Sequence, residues 1–247
     1  MTTTSRMFVL LVVGLPALAR ATEDDSLVRD TLLTEAAAVP GAGTVRVSAG
    51  GGLNQSDDGA DSSVTSLGAS LLWSPLTNLA LGVSSQWQGG TFTPAASVRW
   101  QLLSEAVAPV NLTALVRFRS VGMESTGSEL DARLAFGRTL GRVGLTANVL
   151  VGKGLGRRGD VDFEASSLAA YRITSSFHTG VEGRVHLELV DEFKTPEDEG
   201  RPFGLVVGPT ASYVWKGFQL QGLVGWSSPR GSAPTGVVAQ ALATFDF

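Results

Sequence analysis

The chain has 247 residues, with 19 basic and 23 acidic side chains, so no cationic stripe is available to neutralise nucleic-acid phosphates. The absence of cysteine removes disulfide and thiolate chemistry, and the length suits one large all-β domain. Mean hydropathy is +0.17, yet the one long apolar run, residues 8–19, falls short of the roughly 20 residues a membrane-crossing helix needs.

That run follows Arg6 and precedes Ala19-Arg20-Ala21. A basic start, an apolar middle and a small-residue end form the layout of a secretory signal peptide, here residues 1–21 with cleavage after Ala21. An uncleaved anchor is the alternative. Residues 22–42 read as a leader that opens on Glu23, Asp24 and Asp25. Leu27, Leu32 and Leu33 sit loosely at helical spacing, with Ser26 as N-cap and Pro40 as stop, so a short helix and an irregular leader both fit. The leader belongs on the periplasmic side, or tucked as a plug into the mouth of the domain formed by residues 43–247.

From residue 43 to the end the pattern has period two. Twelve strands are predicted: 44–53, 64–73, 79–88, 95–103, 110–119, 129–138, 143–152, 160–172, 177–189, 203–215, 218–226 and 236–247. The repeat of about 17 residues per strand and connection exceeds the 8–12-residue spacing of turns in soluble sandwiches. It suits membrane-crossing strands of roughly 9–11 residues. Connections near 74–78, 104–109, 139–142, 173–176 and 216–217 are short. Those at 54–63, 120–128, 153–159, 190–202 and 227–235 are longer and polar, and only 89–94 breaks the alternation. Acidic runs such as Asp57, Asp58, Asp61 and Glu197, Asp198, Glu199 read as solvated loop tips.

One face of each strand is apolar, as in Leu79, Leu81, Val83, Ser85, Trp87 and in Val143, Leu145, Ala147, Val149, Val151. Aromatics gather toward the strand ends. Trp73, Trp100, Phe136, Tyr171, Phe177, Tyr213, Trp215, Phe218 and Phe247 lie on the short-turn side; Trp87, Phe118, Phe163, Phe203 and Trp226 lie near the long loops. Two aromatic girdles around an aliphatic band are what a bilayer selects. The last stretch, Gly236 to Phe247, alternates Val237, Ala239, Ala241, Ala243, Phe245 and Phe247 with a polar set and ends on an aromatic. It resembles the closing strand of Gram-negative outer-membrane β-barrels. The resemblance covers residues 43–247 and implies an all-β, transmembrane, antiparallel up-and-down barrel of about twelve strands, porin-like or transporter-like. It also implies outer-membrane lipid as surroundings and recognition by the barrel-assembly machinery through the C-terminal strand.

The other face is polar. Arg46 is expected near one end of it and Asp246 at the other, with charge concentrated on the middle strands: Arg99, Arg117, Arg119, Glu129, Asp131, Arg133, Asp162, Glu164, Arg172, His178, Glu182, Arg184, His186 and Glu188. Register across the 120–128 loop should set Arg119 against Glu129 and Arg117 against Asp131. Asp162 and Glu164 should lie beside Arg184, His186 and Glu188. Paired charges brace a lumen wall; they also make a constriction that biases solute passage. The expected function is a passive channel for small hydrophilic solutes, with no cofactor and no metal. One alternative is a structural or surface-adhesion barrel with a plugged lumen. Another is a lumenal lipid-modifying hydrolase using His186 with Glu188, Asp162 and Glu164. Against catalysis at the lipid face, both histidines have inward parity, whereas Ser85, Ser167 and Thr179 point outward.

Overall fold

A computed structural model describes residues 30–56, 63–123, 127–156, 161–190, 203–228 and 235–247. The signal-peptide reading for 1–21, the acidic start of the leader with Ser26, and the acidic loop tips lie outside these residues.

Twelve antiparallel strands run β1 (Val45–Ser56), β2 (Val64–Leu76), β3 (Leu79–Gln88), β4 (Thr91–Leu103), β5 (Asn111–Ser120), β6 (Ser128–Leu140), β7 (Val143–Gly154), β8 (Val161–Arg172), β9 (Phe177–Val190), β10 (Phe203–Trp215), β11 (Phe218–Ser228) and β12 (Gly236–Asp246). Each pairs with its sequence neighbours, and β1 pairs with β12 to close the barrel. Closure leaves no strand edge exposed to lipid, where an unpaired backbone group costs several kcal/mol. No helix of the described residues is long and apolar enough to cross a membrane; the crossing elements are strands.

The alternation sorts the side chains as the sequence indicates. Val83 (57 % exposed), Val181 (55 %) and Val224 (58 %) project from the outer surface, an exposure that only a lipid environment makes sense of. All the aromatics named above lie on that outward set, joined by Phe92 and Phe245. Phe245 packs on Phe218 with ring centroids 4.7 Å apart.

Two expectations need correction. Strand β4 begins at Thr91, so the connection before it is the pair Gly89-Gly90 rather than 89–94. Both glycines have positive φ (56° and 86°), the requirement of a two-residue hairpin turn. Arg46 and Asp246 do not stand at opposite ends of the lumen. Because β1 and β12 are antiparallel neighbours they are cross-strand partners, with Arg46 Nε 2.7 Å from Asp246 Oδ1.

Residues 30–42 form no helix. They lie inside the barrel at its short-turn end, and the helical option for the leader fails over this part. A tight turn brings the Thr31 N–H to the Thr34 carbonyl at 2.8 Å. The Ala36 N–H donates to Asp30 Oδ1 at 2.7 Å, closing residues 30–36 into a compact loop.

Candidate functional site

The lumen has two unlike walls. On β1 to β3 and β12 the inward positions are small or neutral, including Ser48, Gly50, Gly52, Ser66, Gly68, Ser70, Ser84 and Gln240, apart from the Arg46–Asp246 pair at the short-turn end. On β4 to β9 they carry the charges. Every residue of the sequence-predicted charge cluster has inward parity, and the register of β5 with β6 pairs Arg119 with Glu129 and Arg117 with Asp131. The side-chain contacts match that register: Arg117 Nη2 to Asp131 Oδ2 is 2.8 Å, and Arg119 Nη2 to Glu129 Oε1 is 2.5 Å. Asp131 is fully buried and also lies 3.1 Å from Arg119 Nε, with Arg119 Nη2 donating to its Oδ1 at 3.4 Å. Farther round, Arg133 Nη2 meets Glu164 Oε1 at 3.4 Å, and His186 Nε2 stands 3.2 Å from Asp162 Oδ1. Arg184 reaches Glu164 only at 3.9 Å. Glu188 lies opposite Asp162 in the register, and Arg172 opposite His178.

The internal segment docks on this wall through groups that strand periodicity does not encode. Asp30 takes Arg99 Nη1 at 2.7 Å and lies 3.8 Å from Arg46 Nη1. Glu35 is ringed by three guanidiniums: Arg133 Nη1 at 3.1 Å, Arg99 Nη2 at 3.3 Å and Arg117 Nη1 at 3.6 Å. Burial favours the neutral form of both acids, but the arginines outweigh it. Asp30 is held down at about 2, chiefly by Arg99 and Arg46. Glu35 is held below the ordinary carboxylate range by Arg133, Arg99 and Arg117.

Neutral contacts complete the docking. Fully buried Glu182 accepts the Leu33 N–H at 2.9 Å and the Thr31 hydroxyl. Thr113 Oγ1 donates to the Ala37 carbonyl at 2.6 Å, and the Val39 N–H donates to Gln101 Oε1 at 3.0 Å. Leu33 inserts against Leu223 and Val238 of the lumen wall, and Val39 against Leu72 and Ala80. Asp30, Glu35, Thr113 and Gln101 are the site residues that the sequence reading passed over.

Above the segment, toward the long loops, lies a cavity of about 630 Å³. Thr31 to Glu35 line its floor, Arg119, Arg184 and His186 one side, and Ser66, Ser84 and Gln86 the other. His178 is outside it, buried near the short-turn end with Nδ1 3.4 Å from Ser212 Oγ. Glu182 is engaged with the segment, so the structure brings neither of these two into the group around His186. Among the described residues, no three His, Cys, Asp or Glu side chains are grouped to hold a metal ion.

A closed twelve-strand barrel with a lipid-facing exterior and a charge-lined lumen has the fold of the porin-like β-barrels of the Gram-negative outer membrane, and that exterior belongs in a lipid bilayer. Solved structures agree on the fold. The NanC porin superposes with a TM-score of 0.64 at 8 % identity, covering 81 % of this chain and 98 % of that one. An outer-membrane channel from Pseudomonas putida F1 gives 0.60 at 13 % identity, covering 85 % and 97 %. The KdgM porin gives 0.56 at 8 %, covering 82 % and 99 %. No protein-family model and no curated protein matches the chain.

Proposed function

We infer that this barrel is an outer-membrane channel for small hydrophilic solutes, held closed by its own residues 30–42. The observation that carries the reading is the lumen itself: a polar cavity of about 630 Å³ reaches from the long-loop side and ends on residues 31–35. A barrel of twelve strands leaves room for a pore narrower than that of the 16–18-stranded porins, and here the short-turn half of that room is filled by the segment. The export signal read in residues 1–21 fits this destination, and the C-terminal strand ending on Phe247 is the feature the assembly machinery would read. The reading includes no catalysis: His186→Ala should leave membrane lipid composition unchanged.

The test is conductance in a planar bilayer, comparing the chain that begins at Thr22 with one lacking residues 22–40. The longer chain should show rare, brief openings and the shorter one a steady current. Silence from both would sink the channel reading. The ion pairs on Asp30 and Glu35 favour a second reading, a permanently plugged structural or surface-adhesion barrel, and silence from both chains is the result that reading expects.

A further inference from the structure

Most of the charged wall satisfies itself. Arg117 has Asp131, Arg119 has Glu129 and Asp131, Arg133 has Glu164, and Arg46 has Asp246. Arg99 differs. Its cross-strand neighbours are Ala80 on β3 and Leu115 on β5. Among the described residues its ion pairs are with Asp30 and Glu35 alone, one carboxylate on each terminal nitrogen. A buried guanidinium with no acid of its own wall is costly unless an anion comes to it. The two carboxylates that come here belong to a segment outside the strands, which leads into β1 through residues 41–44. They sit side by side on one planar fork, a geometry suited to carboxylate rather than to a single point charge.

We propose that Arg99, flanked by Arg117 and Arg133, is a lumenal binding site for a small organic anion with two neighbouring carboxylates, which Asp30 and Glu35 occupy in the closed form. A free dicarboxylate entering the cavity competes with the segment for the same guanidiniums and releases it. The released state then presents Arg99 to the solute path. The proposal rests on the channel reading for its consequence, opening, but not for the binding itself.

The chain has no cysteine, so a single Thr34→Cys reports the segment. Thr34 is 1 % exposed, so a thiol of similar size there is shielded while the segment is docked. The probe is succinate at constant ionic strength, and the readout is the rate at which a maleimide labels the thiol of the full chain in detergent. Succinate should raise that rate saturably, by about tenfold at roughly ten times its dissociation constant. Sodium chloride at matched ionic strength should not. In Arg99→Gln the saturable dependence should disappear.

Should Arg99→Gln not fold, calorimetry on Asp30→Asn/Glu35→Gln decides, because freeing the arginines should tighten succinate binding relative to the unaltered chain. Equal effects of succinate and chloride, or unchanged affinity in the double variant, would overturn the site. Equal potency of inorganic phosphate would overturn its carboxylate preference. Succinate binding and thiol exposure without any current would keep the site and remove the channel. Current without succinate binding would do the reverse.

Discussion

Acidification is expected to loosen residues 30–40 from the lumen in a window set by their two carboxylates. Asp30 titrates near 3.8 when free and about 2 when docked. A depressed value means that docking is stabilised above the free pKa and loses that stabilisation as pH falls through the docked one. The difference is worth about 2–3 kcal/mol, or roughly sixtyfold in the ratio of docked to released segment. Glu35, ordinarily near 4.5 and also lowered, acts in the same sense. Protection should therefore stay flat from neutral pH down to about 4.5 and decline toward 2. Hydrogen exchange read by mass spectrometry on peptides spanning 30–40, corrected for intrinsic rates at each pH, measures that protection. Asp30→Asn is the control, since other lumenal acids also protonate in acid. It should be less protected at neutral pH and should lose less on acidification. A decline centred between pH 5 and 8, or an identical decline in the variant, would refute the assignment.

Glu182→Ala should leave the Leu33 N–H without its acceptor, at about 1–3 kcal/mol, and the Thr31 hydroxyl with the Thr34 carbonyl in place of the carboxylate. Exchange should quicken over 31–34 but not over 37–39, which Thr113 and Gln101 hold; uniform quickening would contradict separate anchors. Gly208→Ala should impair assembly. A Cβ there would lie 2.3 Å from the Val224 carbonyl oxygen and 2.5 Å from Gly225 Cα, both backbone, and overpacking typically costs about 1–3 kcal/mol. A normal yield of the compact, heat-modifiable form on electrophoresis would count against that close approach. Val149→Arg, halfway along β7 on the outward face, should destabilise the barrel by about 2–4 kcal/mol, whereas Ser84→Arg, facing the lumen, should not. Denaturant titration in lipid vesicles should rank them in that order; the reverse ranking would invert the assignment of faces.

Much of the barrel was legible because period two has a single reading once one face must meet lipid. The bounds of β3 and β10 were read to the residue, and short-range register gave Arg117–Asp131 and Arg119–Glu129. The start of β4 was less legible: Pro94, a residue usually confined to strand ends or edges, sits inside β4 on the outward parity, opposite Ser85. The partnership of Arg46 with Asp246 was missed because it depends on closing the barrel, not on any hairpin. The anchors of residues 30–40 were hidden for a deeper reason. An irregular segment has no period, so nothing in its spacing says that Asp30 and Glu35 share one guanidinium. The usable signal was on the wall: on β4, Arg99 faces inward with no acid opposite it on either neighbour, and a lumenal charge without a partner implies one from elsewhere.

That signal also separates what holds the barrel from what closes it. Toward the long loops, the pairs among Arg117, Arg119, Glu129 and Asp131 join neighbouring strands and persist whether or not the segment is present. Arg99, Glu182 and the Leu223–Val238 socket depend on the segment instead. Removing one partner of a buried ion pair costs about 3–5 kcal/mol when the remaining charge stays dry. Inside a lumen that cost falls, because the space vacated by residues 30–40 admits water to hydrate Arg99 and Glu182. Docking therefore competes with hydration rather than with unfolding. The barrel lacking 22–40 should keep the heat-modifiability of the full barrel while losing closure. If that truncated chain failed to assemble, the segment would be part of the folding core and could not serve as a gate.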